Sequence, residues 1–266
     1  MRREPTGVQA WQRAVELGAQ GRAAAARRVL ATVADDPRSA PAVVSLAHST
    51  RASLLRQAGG HGVARIGDGR ACLLAVDATT APSESEWLHA AWLDGLIGLA
   101  ADNLGLGDFA ASQRLLDRAA AHAAAQPRND DADWRTAART ALRLSWVRCE
   151  WGLYCGRMDV ARAAASRSAE LVAVVPSPRH RIKTALIGAA VAAAGGDVDA
   201  AATAGRGVFA DAAEHGFLPL QWAAAALLSG VDGDPKYGAE LGVLRDRLAR
   251  HGMPFAPLSS DERHGR

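Results

Sequence analysis

The sequence predicts an all-α protein, an α-solenoid of about six antiparallel helix hairpins and hence about twelve helices. Three observations favour this fold class. The chain of 266 residues holds 61 alanines but only four Phe and two Tyr, and Ala is the strongest helix former. No segment alternates polar and apolar residues with the period of two that a half-buried strand needs. Glycine turns and proline-containing breaks alternate along the chain, which is typical of stacked helix pairs.

The glycine turns mark the middle of each predicted pair. Each follows an apolar, Ala-rich segment and precedes small residues at helical spacing. The turns begin at Gly21, Gly59, Gly107, Gly156, Gly196 and Gly230. The stretch "GGHGVARIGDG" (59–69) is interpreted as a loose hairpin turn, because it lacks the preceding strand and the Lys-Ser/Thr ending of a phosphate-binding loop.

The breaks between pairs carry the signals of helix starts. They are "DDPRSAP" (35–41), "TTAPSESE" (79–86), "QPRNDDAD" (126–133), "VPSPRH" (175–180) and "HGFLP" (215–219). The segment "SESE" (83–86) has the Ser-x-x-Glu form of a capping box. Ser177 and Pro178 suit the N-cap and the first helical position. One helical domain is predicted over 1–251, and 252–266 is expected to be a flexible tail because it has no periodicity.

One unit, "GLIGLAADNLGLGDFAASQRLLDRAAA" (95–121), resembles a tetratricopeptide repeat (TPR). The matching positions are Leu99 and Ala100, the turn of Gly107, Asp108 and Phe109, and the packing positions Ser112, Leu116 and Ala119. The units at Gly21 and Gly156 follow the pattern less fully, and the family's period of 34 residues is not kept. The chain also resembles uncharacterised helical-repeat proteins of high-GC bacteria. The resemblance implies a TPR-like solenoid whose first helices line a concave binding face, and it implies no known activity.

Composition and charge argue against several function classes. The net charge is +3 and 29 of the 31 basic residues are Arg, which is what a high-GC genome produces. A nucleic-acid partner is therefore not expected, since such binders concentrate more charge. Three cysteines without CxxC spacing indicate neither a disulfide framework nor a zinc site, and they fit a cytoplasmic location. The N-terminal residues lack the apolar run of a signal peptide, and no run is long enough to span a membrane.

The sequence contains no catalytic constellation. It has no HExxH metalloprotease motif, no P-loop and no nucleophile elbow. We therefore expect no enzymatic activity and no cofactor. The seven tryptophans are expected to be packed in the core, with Trp92 and Trp222 as the candidates for exposure in a groove. Cys149 is expected to fill core space, and His180 to lie at the surface.

Basic residues at helical spacing mark a candidate partner-binding groove. They are His48 and Arg51, which are three apart, Arg135, Arg139 and Arg143, which advance by four, and Arg179 and Lys183, which are four apart. Such spacings place side chains on one face of a helix, and these residues fall on predicted first helices, which would line the concave face. The alternative is ordinary solvent-facing arginines, paired locally with Asp130, Asp131, Asp133 or Glu170.

The function predicted from these features is a non-catalytic scaffold that binds a protein or peptide, with the basic residues clamping an acidic segment. Fold-level analogy carries much of this prediction. One alternative is a binder of nucleic acid or of a phosphorylated ligand in the same groove, whose affinity would fall steeply with salt. Another is a sensory domain for a small effector, which requires a cavity between the helices. The oligomeric state is left open.

Overall fold

The computed structural model describes residues 4–77, 85–126 and 132–255. Within these ranges the chain forms twelve α-helices and no strand. The helices are α1 (Val8–Ala19), α2 (Ala23–Asp35), α3 (Pro41–Arg56), α4 (His61–Asp77), α5 (Ser85–Gly105), α6 (Phe109–Ala125), α7 (Ala138–Tyr154), α8 (Met158–Val172), α9 (Pro178–Ala194), α10 (Val198–Glu214), α11 (Leu218–Val231) and α12 (Pro235–Arg250). The predicted all-α class, with six hairpins and twelve helices, is confirmed in this part of the chain. Ser83, which begins the predicted capping box, lies outside it.

The helices form two concentric layers. Consecutive helices pack as hairpins, α1 with α2 through to α11 with α12, and each pair packs on the next. The first helices of the pairs also contact one another in the order α1, α3, α5, α7, α9 and α11, and α11 returns to contact α1. The solenoid therefore curves until its two ends meet. Six first helices form an inner ring, and the second helices lie outside it.

The closing contact is made by the first and last pairs. The backbone N–H of Ala24 donates to the carbonyl oxygen of His251 at 2.9 Å. Gly21 is required at this contact for two reasons. Its φ is 76°, which disfavours side chains, and a Cβ there would lie 2.7 Å from Cδ2 of Leu248. Met253, which follows the predicted boundary at 251, is buried in the core beside these helices.

Local turn chemistry explains the hairpins. Gly107 and Gly196 have φ of 80° and 86°, and each is followed by an Asp whose carboxylate caps the next helix. Asp108 accepts from Ala111 N at 3.0 Å and Asp197 from Ala200 N at 3.1 Å. The interpretation of 59–69 as a loose turn is wrong, because α4 begins at His61 and most of the stretch is helical.

Tryptophan and cysteine side chains fill gaps between the Ala-rich helices, as expected. Trp146 and Trp151 are both 8% exposed, and Cys149 is fully buried. Each indole N–H has a partner: that of Trp146 donates to Thr184 Oγ1 at 3.0 Å and that of Trp151 to the Phe109 carbonyl at 3.0 Å. None of the helices described above is long and apolar enough to cross a membrane.

Candidate anion-binding cavity

The inner ring surrounds a cavity of about 340 Å³. Its wall has two kinds of surface. Helices α3, α5, α7 and α9 supply charged side chains, among them the carboxylates of Asp94 and Glu150, whereas α1, α11 and the residues after α12 supply aromatic and apolar ones. Four of the seven residues predicted for the groove lie together in the basic part of this wall: Arg139, Arg143, Arg179 and Lys183.

Two of these arginines share one carboxylate. Asp94, from α5, is 2% exposed. Its Oδ2 accepts from Arg139 Nη1 at 2.7 Å, and its Oδ1 accepts from Arg143 Nη1. Arg139 also donates from Nε to the Arg135 carbonyl at 2.7 Å. Its Nη2 is buried and has no hydrogen-bond partner among the described residues, although the side chain lines the cavity. One donor of a buried guanidinium therefore remains available.

Arg179 is the least compensated cation in the wall. Within the described ranges it makes no hydrogen bond and no ion pair, unlike Lys183 one turn later, which donates to Glu150 Oε1 at 2.9 Å. Burial, together with the positive charges of Arg143 and Arg139, lowers the pKa of Arg179 to about 10. Three guanidinium groups thus have one carboxylate, that of Asp94, among them.

His180 lies beside this cluster, and its predicted surface position is wrong. It is 5% exposed, and its ring stacks on that of Trp146 with centroids 5.5 Å apart. Nδ1 lies 2.7 Å from Ser177 Oγ. Burial, reinforced by the charge of Arg179, lowers the pKa of His180 to about 3. The imidazole is therefore neutral at physiological pH.

The apolar part of the wall is largely aromatic. Trp222, on α11, packs against Phe255, with ring centroids 4.5 Å apart and ring planes tilted by 33°. The indole N–H of Trp222 is buried and has no partner among the described residues. Trp11, on α1, donates from Nε1 to Thr50 Oγ1 at 2.8 Å. The groove exposure suggested for Trp222 thus corresponds to a place in the cavity wall.

The other three residues predicted for the groove do not line the cavity. Burial, together with the charges of Arg70 and Arg51, lowers the pKa of His48, and Arg51 is exposed. Arg135 precedes α7 rather than lying in it, and its guanidinium is paired with Asp133 and, at 2.5 Å, with Glu4. The cavity is lined instead by other residues of α3, namely Ser49, Thr50, Ser53 and Arg56, and by Gln57, which directly follows the helix.

Arg56 belongs to a buried ionic network that sequence reasoning missed. Its guanidinium donates to Asp102 Oδ1 at 2.7 Å and to Asp68 Oδ2. Both carboxylates are fully buried. Burial, opposed by Arg56 and reinforced by Asp102, raises the pKa of Asp68 to about 7, and Asp68 Oδ1 has no partner among the described residues. A signal existed, because Asp94 and Asp102 interrupt an otherwise apolar helix.

The described residues contain no group of three or more His, Cys, Asp or Glu side chains placed to hold a metal ion. What the cavity offers is a surplus of guanidinium donors beside aromatic surface. Comparison of the chain with protein-family models, with curated proteins and with solved structures found no match.

Proposed function

We propose that the protein is a non-catalytic binding protein that takes an acidic group of its ligand into the central cavity. The observation that carries the proposal is the shortage of carboxylates around three guanidinium groups. Arg139 and Arg143 share Asp94, and Arg179 has no acidic partner among the described residues. An acidic ligand group would supply the missing negative charge.

The energetic cost of this arrangement supports a role in binding. A buried charge without a partner is strongly destabilising, and such groups are retained mainly where function requires them. Arg179 offers a whole guanidinium and Arg139 offers Nη2. Guanidinium groups match carboxylate and phosphate oxygens in pairs, so both acids are suitable.

The acidic group is expected on a peptide or protein segment or on a small organic acid. An extended nucleic-acid strand is less favoured, because the cations face the inside of a ring, whereas such strands follow an open basic surface. Catalysis is not part of the proposal. His180 is the obvious general base beside the cluster, and a pKa of about 3 makes it a poor base at neutral pH.

Two finer assignments belong to the same proposal. The hairpins are assigned as TPR-like, supported by the positive φ of Gly107 and by the full burial of Ser112, Leu116 and Ala119 at the positions where that family packs its second helix. A cytoplasmic location is supported by the cysteines, all three of which are free.

The test of the proposed function is stabilisation by anions. Millimolar pyrophosphate and citrate are added at constant ionic strength, with potassium chloride as the reference salt, and the melting temperature Tm is measured. The wild type is expected to gain Tm, because a ligand that binds only the folded state stabilises it. Arg179→Met is expected to lose this gain.

The matched control is Arg181→Met, since Arg181 lies on the same helix two residues later and is exposed. It should respond to the anions as the wild type does. Arg179 is a better target than Arg143, because removing Arg143 would take a partner from the buried carboxylate of Asp94. An equal gain in Tm for Arg179→Met would refute the proposal.

A further inference from the structure

Resting on the proposed function, we infer that the ligand is a small organic anion with an apolar, ring-bearing body, rather than a segment of a partner protein. The first argument is size. The cavity volume of about 340 Å³ lies at the small end of the range of about 300–1,000 Å³ found for small-molecule sites. A stable protein partner would need about 800 Å² of surface on this chain. The contact between α1 and α11 closes the ring, so the inner helices present a cavity and not a long groove.

The second argument is the chemistry of the remaining wall. An inorganic anion would be satisfied by the guanidinium groups alone, and it would leave the aromatic surface of Trp222 and Phe255 unused. Partly exposed apolar side chains continue this surface at Leu220 and Ala223. Small-molecule sites combine such apolar surface with a few placed polar groups that fix the ligand's orientation.

The third argument is that the two surfaces adjoin. The guanidinium carbon of Arg139 lies 5.5 Å from the centre of the Trp11 ring. Because Arg139 covers that face of Trp11, the body of a molecule held at its acidic end by Arg139 and Arg179 lies against the other aromatic rings of the same wall, Trp222 and Phe255. The unpartnered indole N–H of Trp222 provides one further donor for a polar atom on that body.

These contacts define an orientation. The acidic group lies between Arg179 and Nη2 of Arg139, and the ring-bearing body lies against Trp222 and Phe255. Carboxylates and phosphate esters share this chemistry. The body must be flat or slender, because the paired rings of Trp222 and Phe255 form one side of a small cavity.

Three probes separate the contributions in calorimetric titrations. 2-Naphthoate has both the acid and the ring system, 2-naphthol has the ring system without charge at neutral pH, and inorganic phosphate has charge without a ring. Wild-type protein is expected to bind 2-naphthoate about 10- to 100-fold more tightly than either of the others. Charge-assisted hydrogen bonds supply the factor over 2-naphthol, and burial of the ring system supplies the factor over phosphate.

Two variants assign these contributions to residues. Arg179→Met is expected to lose the advantage of 2-naphthoate over 2-naphthol and to leave 2-naphthol binding unchanged. Trp222→Leu is expected to weaken both naphthalene probes and to leave phosphate binding unchanged. If circular dichroism shows that Trp222→Leu is not folded, Phe255→Leu is used as the second variant instead. Arg181→Met is the control in every titration.

The outcomes distinguish this inference from the proposed function. If phosphate binds as tightly as 2-naphthoate and binding depends on Arg179, the inference is overturned and the proposed function stands. The same holds if 2-naphthoate fails to bind while pyrophosphate stabilises the protein through Arg179. If the two naphthalene probes bind equally tightly and Arg179→Met changes the affinity of neither probe, both the inference and the proposed function are overturned.

Discussion

Replacing Arg179 with Met is expected to stabilise the unliganded protein. The substitution removes a guanidinium that has no acidic partner among the described residues and keeps an unbranched apolar side chain in its place. Such a gain is unusual, because most substitutions of partly buried residues destabilise. It is expected here because, on the proposed function, the charge serves the ligand and not the fold.

The magnitude follows from the pKa of Arg179, which burial lowers from the ordinary range of an arginine to about 10. Since one pKa unit equals about 1.4 kcal/mol, the charged form is disfavoured by about 3 kcal/mol. Because the folded-state pKa is the lower one, this penalty is fully present at neutral pH and is relieved only as the pH rises through about 10. Arg179 keeps partial contact with solvent, and its stem makes contacts that Met replaces only in part. The expected net gain in the free energy of unfolding is about 1–2 kcal/mol.

The assay is urea unfolding at neutral pH, followed by circular dichroism, for the wild type, Arg179→Met and Arg181→Met. The control substitution on the exposed side of α9 should change the free energy by less than about 0.5 kcal/mol. With saturating pyrophosphate the order should reverse, since only the wild type gains from the ligand. If Arg179→Met is less stable than the wild type without ligand, the guanidinium has a stabilising role and the reasoning fails.

Three further predictions concern groups around the cavity. The pKa of His180 is lowered to about 3, so between about pH 3 and 6.5 this group binds a proton in the unfolded state but not in the folded state. The pKa of Asp68 is raised to about 7, so between about pH 4 and 7 this group binds a proton in the folded state but not in the unfolded state. The free energy of unfolding is therefore measured by urea titration from about pH 4 to 6.5. Compared with the wild type, His180→Phe should lose less stability as the pH falls and Asp68→Asn should lose more, each by about 1 kcal/mol per pH unit. Stability profiles parallel to that of the wild type would contradict this. Gly98→Ala should lower the free energy of unfolding by about 2–3 kcal/mol, because its Cβ would overlap the Asp68 carboxylate. Gly188→Ala, in open space on α9, should raise it by about 0.5–1 kcal/mol. Equal effects of the two substitutions in denaturant unfolding would contradict the packing argument. Cys149 should resist alkylation in the folded protein and react in urea, because burial raises the pKa of its thiol to about 12, and peptide mapping that finds it modified without urea would contradict this.

The sequence correctly predicted features that depend only on residue spacing within one helix or one turn. The Gly-Asp turn at Gly107 and Asp108 predicted a hairpin, because a left-handed residue followed by a capping carboxylate ends one helix and starts the next. The spacing of four between Arg139 and Arg143 placed both on one side of α7, where the structure has them.

Residue spacing was less informative about which side of a helix faces the cavity. α3 has buried residues around most of its circumference, so the spacing of His48 and Arg51 could not show which side of the helix faces inward. Arg135 was assigned to a predicted first helix, but it precedes α7, which begins at Ala138. Its guanidinium is held outside the cavity wall by the carboxylates of Asp133 and Glu4. His180 was misplaced because its burial depends on a tertiary contact with Trp146.

The cavity itself could not be predicted, because the curvature of a solenoid accumulates from small rotations between pairs. Those rotations depend on how closely helices approach, as at Gly95 and Gly98, where a Cβ would meet Cys72 and Asp68 of the neighbouring helix. A periodic pattern identifies the pairs but contains no measure of these distances.

Closure of the ring changes how stability is distributed. In an open solenoid each end pair has one neighbour, and unfolding can begin at an end and spread. Here the Ala24–His251 contact joins the first and last pairs, so every pair has two neighbours and fraying must break the ring before it can spread. A ligand in the centre contacts helices from both halves of the chain, so its binding energy opposes the unfolding of all six pairs together, as one cooperative unit.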